Sequence, residues 1–419
     1  MQRVIAALLA AGVCAAPLSA QPAVVQADAP PLTLGEALAA AGLSSPSLAV
    51  ADAGIRAAQA QGEIARLRPN PSLVSELENV GGTGVYEGLR SSETTVGLSQ
   101  PLELGGKRQA RAAVAQAQLG RAEVEAAIAR ANLRLQVTEA YIEAVAWQRR
   151  SITAAEQVDV ATEGLRVARV RVRAGRASPL EESRAGVALV NADAALERAE
   201  RSADVAAASL ARLIGRPVGR LDLAWFDRVG RIGPDEPLDP SGTLAVAAAR
   251  ADAGTASAQV ALARSQRIPD LTVSASARRL EQTNDTAAVF GLSVPLPLFN
   301  DGRAAVRLAT AERAQADARQ RLAVLEAERA IAASQADVAN AAATARAAAG
   351  PALAAAQEAA RIARIGYREG KFGQLDLIEA ERTLLETRIA AIDALAAYHQ
   401  AEARLDRLAA RAPSRMERP

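Results

Sequence analysis

The chain repeats itself at half its length, and that repetition limits its fold more than any other feature. Val96-Gly97-Leu98-Ser99-Gln100-Pro101-Leu102-Glu103-Leu104 returns 194 residues later as Phe290-Gly291-Leu292-Ser293-Val294-Pro295-Leu296-Pro297-Leu298. Arg173-Ala174-Gly175 is echoed by Arg368-Glu369-Gly370, and Ala185 and Leu189 by Ala380 and Leu384, now at an offset of 195. A solenoid repeat spans about 20–50 residues. This period is a duplicated half-protein, so the fold has to be built from two similar halves.

Each half changes its hydrophobic period in the same order. Leu34 to Leu67 has helical periodicity and stops at Arg68-Pro69-Asn70-Pro71. In Ser72 to Val80 and again in Glu93 to Ser99, apolar residues alternate with polar ones, which predicts a hairpin over about 72–100 with strands of roughly 9–10 residues. Leu271, Val273, Ala275 and Ala277, then Ala288, Phe290, Leu292 and Val294, predict a second hairpin over about 270–295. After each hairpin comes a long stretch almost free of proline and glycine, 106–174 and 303–369, the second interrupted by Gly350-Pro351, which predicts a kink. At 1.5 Å per residue the first would run about 100 Å. Gly175 and Gly370 suit tight turns. Ser178-Pro179-Leu180-Glu181 predicts an N-cap, a proline at the first helical position and a capping-box acid. Returning helices are predicted over 178–214 and 374–411.

Composition agrees with close-packed helices. Half the residues are hydrophobic, chiefly alanine, yet only 2% are aromatic, too few for an ordinary globular core. The near-balanced charge, formally +2, does not suggest a nucleic-acid surface. Met1 to Ala20 predicts a secretory signal cleaved before Gln21. Cys14, the only cysteine, lies within it. A lipoprotein signal acylated at Cys14 is the alternative, for which Val13 is a poor preceding residue. Beyond Ala20 no charge-free run of about 18–20 apolar residues exists, so any membrane contact falls to strands or surface.

The resulting organisation is a signal peptide (1–20), an extended leader (21–33), a first repeat (34–214), a connector (215–240) carrying Trp225 and Phe226, a second repeat (241–412) and a disordered tail (413–419). The predicted fold class is mainly α with β-hairpins. Strands of 9–11 residues with one apolar face have the length of membrane-barrel strands, although a soluble hairpin reads the same way in isolation. Four strands leave edges that lipid forbids, so the chain must oligomerise; three copies would supply 12 strands.

These segments are where the chain resembles the outer-membrane efflux channel family typified by TolC. The resemblance is carried by the doubled Gly-Leu-Ser-x-Pro-Leu-x-Leu, the doubled glycine at the helix turns, and Leu213-Ile214-Gly215-Arg216-Pro217. Glu76-Leu77-Glu78-Asn79-Val80-Gly81-Gly82 and the segment Gln100 to Arg108 look most like the heavy-metal, cobalt–zinc–cadmium branch. The resemblance implies a homotrimer in outer-membrane lipid. Its 12-stranded β-barrel would continue into a periplasmic α-barrel of long antiparallel coiled-coil helices. A periplasmic adaptor would dock at the turns of Gly175 and Gly370, and an inner-membrane resistance–nodulation–division pump would supply the energy.

The resemblance also implies a constriction of acidic rings at Asp376 and Glu379. These lie on one helix face at i and i+3, and threefold symmetry would crowd six carboxylates into a set that attracts cations; a solvated helix face is the competing reading. It further implies a latch at Tyr367 and Glu181, with Tyr367 as a packing tyrosine the competing reading. Phe372, beside Lys371, stands where the family has a latch arginine.

No enzymatic role, cofactor or metal site is expected. The chain's one histidine, His399, predicts an interhelical or surface residue with no ligand cluster around it. Two other functions stay open at this point: an exit duct for drugs or other organic compounds, and a periplasmic coiled-coil adaptor or scaffold with no barrel.

Overall fold

A computed structural model describes residues 30–230 and 237–412. The expected signal segment with Cys14, the leader up to residue 29 and the tail 413–419 lie outside the described residues, as do connector positions 231–236.

The helical run expected from Leu34 to Leu67 is two helices, α1 (Leu34–Ser44) and α2 (Pro46–Arg66), which meet at 49°. Pro46 lacks an N–H and forces Ser45 into extended geometry (φ −73°, ψ 118°), and the same proline then opens α2 at its first position. Next come β1 (Ser72–Glu78) and β2 (Glu93–Leu102). β1 is shorter than expected and ends where Asn79 turns into the left-handed region at φ 58°.

The 67-residue helix α3 (Lys107–Arg173) then runs unbroken into the turn at Gly175 and returns as α4 (Pro179–Ile214). The connector holds one short helix, α5 (Leu223–Phe226). The second half repeats the series with α6 (Leu244–Ser265), β3 (Leu271–Leu280), β4 (Asp285–Ser293), α7 (Arg303–Ala347), α8 (Leu353–Arg368) and α9 (Gln374–Ala409). Between α7 and α8 one wide π-type turn, Ala348–Ala352, contains Gly350 at φ −102°, ψ −105° and Pro351. This is the kink expected there: the proline removes a ladder hydrogen bond and the glycine absorbs the bend.

The two hairpins form a single antiparallel sheet in the order β1-β2-β3-β4. The halves are joined in it by β2 and β3, which pair from Glu93↔Leu280 to Leu102↔Leu271. The helices below keep the same lateral order, with α2 on α3, α3 on α6 and α6 on α7. Both layers therefore end on the same two sides.

Alanine does most of the packing between helices. On α4 the buried residues Ala185, Ala192, Ala199 and Ala206 recur every seventh position, the spacing that winds helices into a left-handed coiled coil. Alanine at these positions lets backbones approach closely without loss of side-chain entropy.

Large side chains gather at the middle of the molecule. Tyr141, fully buried, donates to the Leu32 carbonyl at 2.8 Å, and that segment pairs with the connector through Leu32 N to Arg220 O (2.7 Å) and Asp222 N to Leu32 O (3.1 Å). Burial raises the Tyr141 hydroxyl to about 12. His399 is not a surface residue. It is 3% exposed, stacked on Trp225 at 4.2 Å and bonded through Nε2 to the Phe226 carbonyl at 2.9 Å. Tyr141, Trp225, Phe226, Tyr398 and His399 thus fasten the connector to α3 and α9, while the remote helices close chiefly on alanine.

Candidate functional site

Two places bear on function: the faces of the sheet, and the end of the helices where the two turns meet. Directly opposed residues share a face in an antiparallel sheet. One face therefore carries the rows Leu73–Leu98–Ala275–Phe290 and Ser75–Val96–Ala277–Ala288. Phe290 is 81% exposed, and Leu73, Leu77, Leu98 and Leu292 are also exposed. The opposite face carries Val74–Gly97–Ser276–Val289 and Glu76–Thr95–Arg278–Ala287. On it Arg278 ties three strands, 3.1 Å from Glu78 and 2.9 Å from Glu93, and donates to Thr95 at 2.9 Å. A sheet that leaves its apolar face uncovered and gathers charged side chains on the other has the two-sided character of a wall between lipid and water.

The repeated glycines of the Gly-Leu-Ser motif lie on the polar face. A Cβ at Gly97 would stand 2.5 Å from Ser276 Cα and also strike the Ala275 carbonyl; one at Gly291 would meet the Ser274 hydroxyl. Close strand approach requires glycine at Gly97.

At the far end, Gly175 (φ 67°) and Gly370 (φ 74°) take the left-handed conformation that only glycine adopts readily. Each turn closes with a hydrogen bond five residues back: Arg176 N to Arg171 O at 2.9 Å, and Lys371 N to Gly366 O at 2.8 Å. The structure brings the two turns together. Tyr367, 3% exposed, donates its hydroxyl to Glu181 at 3.3 Å. Burial, and then the Glu181 charge, raise its pKa.

Glu181 does not close the expected capping box. Ser178 instead accepts from Leu180 N at 3.3 Å, and the Glu181 carboxylate is committed to the neighbouring coil. Asp376 occupies the same position in the second copy and does cap its own helix, accepting from Gly373 N at 2.9 Å. Duplication has given one helix position two jobs. Asp376 and Glu379 are both exposed on the first turns of α9.

Two participants were not singled out from the sequence. Arg171, at the end of α3, lies 4.6 Å over the Tyr367 ring, donates to the Tyr367 carbonyl at 3.2 Å and stands 3.8 Å from Glu181. Gln374, buried, donates to the Glu181 carbonyl at 2.8 Å. The first half thus supplies an arginine to the contact between the two turns, whereas Phe372 folds its ring onto Gly366, the residue at the Arg171 position of the second copy. The signal available in the sequence was departure between copies: Arg171 against Gly366, and Gln374 against Pro179.

Deeper in the coil, Arg364 forks onto the buried Glu381 and holds α8 to α9. Among the described residues no cluster of histidine, cysteine and acids could hold a metal ion. No single helix there is long and apolar enough to cross a membrane, although the bent pair α1 and α2 passes that test together.

The model of a family described as outer membrane efflux protein matches residues 37–216 and 239–411. The cobalt-zinc-cadmium resistance protein CzcC of Cupriavidus metallidurans is 32% identical over 387 residues, covering 91% of this chain and 90% of that protein. The nickel-cobalt-cadmium resistance protein NccC of Alcaligenes xylosoxydans is 33% identical over 320 residues, covering 75% and 71%. Among solved structures, the outer membrane protein VceC of Vibrio cholerae superposes with a TM-score of 0.73 at 22% identity, over 90% of this chain and 96% of that one.

Proposed function

The chain belongs to the outer membrane efflux protein family, and we propose that it is the passive exit duct of a heavy-metal efflux system, working as a homotrimer. The observation that carries the duct is the sheet. It has an exposed apolar face, a polar face on which Arg278 pairs with Glu78 and Glu93, and two unpaired edges, and this combination is stable in lipid only when closed into a barrel. Three copies of four strands make 12. The coiled coils continue the tube into the periplasm. Heavy-metal cations as cargo are supported by the relatives, two of which carry metal resistance in their names.

The duct performs no chemistry. An inner-membrane pump of the resistance–nodulation–division type drives the substrate, and a periplasmic adaptor grips the turns at Gly175 and Gly370. An exit path for metal ions should bind them weakly, since tight binding would retain what has to leave. Complementation tests this reading. In a cell deprived of its own metal-efflux channel but keeping the pump and adaptor, the chain is expected to restore growth in cobalt, zinc or cadmium. Restored tolerance to organic compounds with none to metals would transfer the duct to the organic-compound reading.

Asp376 and Glu379 are read as the acidic constriction, and Tyr367, Glu181, Arg171 and Gln374 as the latch that holds the two turns together. In planar bilayers the double variant Asp376→Asn with Glu379→Gln is expected to lower cation-over-anion permeability severalfold, because charges lining a narrow aqueous path set its selectivity. Unchanged selectivity would assign the two acids to a solvated outer face.

A further inference from the structure

All the passages between helix and strand lie at one end of the sheet, because both hairpin turns lie at the other. They form a continuous band across the chain. Arg111 donates to the Leu67 carbonyl at 3.3 Å, Gly105 sits against Ile268, and Gly302 sits against Arg267.

The charges in this band do not cancel. Its acids are spent inside the chain. Glu103 accepts from Arg111 at 3.1 Å, and Asp301 lies 2.8 Å from Arg303. Asp270 lies 2.7 Å from Lys107 and accepts from Leu104 N at 3.1 Å. Arg66, Arg68, Arg108, Arg264 and Arg307 are left exposed, and none of them has an ion-pair or hydrogen-bond partner among the described residues. In the band only Glu63 remains to offset them. At the hairpin end the surplus is reversed. There Arg278 is met by Glu78 and Glu93, Arg279 by Glu281 and Arg90 by Glu87, while Glu76 and Asp285 stay exposed and unpaired.

Exposed apolar side chains share the basic band. The row Phe290, Leu292 and Val294 runs on past the end of β4 through Leu296 and Leu298, and Phe299, wholly exposed, stands just before the first turn of α7. Apolar and basic side chains at one level, directly beneath a sheet with an uncovered apolar face, match the headgroup layer of a bilayer. The aromatic ring suits the boundary itself, and arginine stems lie along apolar surface while their charged ends reach the phosphates. A guanidinium fork fits a phosphate with two parallel hydrogen bonds. A headgroup with no amine of its own leaves that attraction undiluted.

We propose that this band is a collar for anionic phospholipid headgroups of the periplasmic leaflet, held by Arg66, Arg68, Arg108, Arg264 and Arg307. It rests on the reading of the sheet as a membrane wall and names the lipid which that wall prefers. The collar fixes the depth of the sheet in the bilayer, and the opposite sign of the far rim fixes its direction.

Native mass spectrometry of the full-length protein tests the collar. From detergent micelles holding equal amounts of phosphatidylglycerol and phosphatidylcholine, the wild-type oligomer is expected to retain phosphatidylglycerol severalfold over phosphatidylcholine. The combined variant Arg66→Gln, Arg68→Gln, Arg264→Gln and Arg307→Gln is expected to lose that preference. These side chains bind nothing else in the chain, so the oligomer should persist, and the wild-type ratio needs no variant at all. Arg166→Gln, Arg201→Gln, Arg361→Gln and Arg382→Gln together remove the same charge from exposed positions on the distant coils and should keep the preference. A wild-type oligomer that retains both lipids equally, or a collar variant that keeps the wild-type ratio, overturns the collar and leaves the duct standing. An unchanged ratio with reduced anion conductance in planar bilayers would do the same and turn these arginines to the lumen. A chain that enters no bilayer and gives no oligomer overturns both.

Discussion

Gly97→Ala is expected to remove the stable channel from the outer membrane, seen as loss of the oligomeric band in unheated samples. The added Cβ meets Ser276 Cα at 2.5 Å and the Ala275 carbonyl across the β2–β3 pair, the contact that joins the two halves of the chain. Backbone atoms cannot rotate away, so the strands must separate. Overpacking of a fitted site costs about 1–3 kcal/mol, and in the proposed trimer the defect recurs in every copy of a sheet that has no water to satisfy opened backbone groups. Gly291→Ala should be much milder, because there the obstacle is the Ser274 hydroxyl, which can adopt another rotamer. Equal oligomer yields for the two variants would refute the close-approach argument. So would an oligomer of Gly97→Ala that survives to the wild-type temperature.

Glu181→Ala should leave the periplasmic end ajar. Glu181 accepts from the Tyr367 hydroxyl, faces Arg171 at 3.8 Å and offers its backbone carbonyl to Gln374. Truncation leaves the half-buried guanidinium and the buried phenol without their carboxylate. Hydrogen bonds to charged groups contribute about 1.5–3 kcal/mol, and about 1.4 kcal/mol is tenfold in a population. The latched fraction should therefore fall by one to two powers of ten. The expected readouts are higher single-channel conductance in planar bilayers and cells newly sensitive to a large antibiotic that the closed duct excludes. Arg171→Ala should act in the same direction, whereas Tyr367→Phe loses one hydrogen bond and keeps the ring under Arg171, so its effect should be the smallest. Wild-type conductance for Glu181→Ala would reduce the constellation to packing.

Much of the architecture was legible because its signals are local. The absence of proline from Lys107 to Arg173, with only Gly120 and Gly164 as glycines, dictates one continuous helix, and Gly350-Pro351 dictates the break in its counterpart. Alternation in Leu271–Ala277 dictates a strand with one apolar face. The split at Ser45-Pro46 was available locally too, but matching periodicity on either side hid it. What stayed unread depends on neighbours distant in the chain. Glu181 and Asp376 are acids at the same helix position, and only the packing of the second coil against the first decides that one binds Tyr367 and the other caps its own helix. Nothing local marks Arg171 among the arginines of its turn. His399 looks like a polar residue on an alanine-rich helix until Trp225 and Phe226, more than 170 residues earlier, are folded onto it. The pairing of β2 with β3 is likewise a property of the whole fold.

The unequal construction of the two long arms has a mechanical consequence. α3 is a single rod from the sheet to its turn, while α7 and α8 are two rods hinged at Gly350. A bending load applied at the turns is therefore borne rigidly by the first half and absorbed at one point in the second. Beyond the hinge α8 is a lever about 24 Å long, and a swing of about 10° carries its Gly370 end about 4 Å. Around a threefold axis three such levers would widen an aperture like the blades of a shutter, with the three unbroken rods as its fixed frame. One glycine, far from the two turns, would then set how far and in which half such an aperture moves.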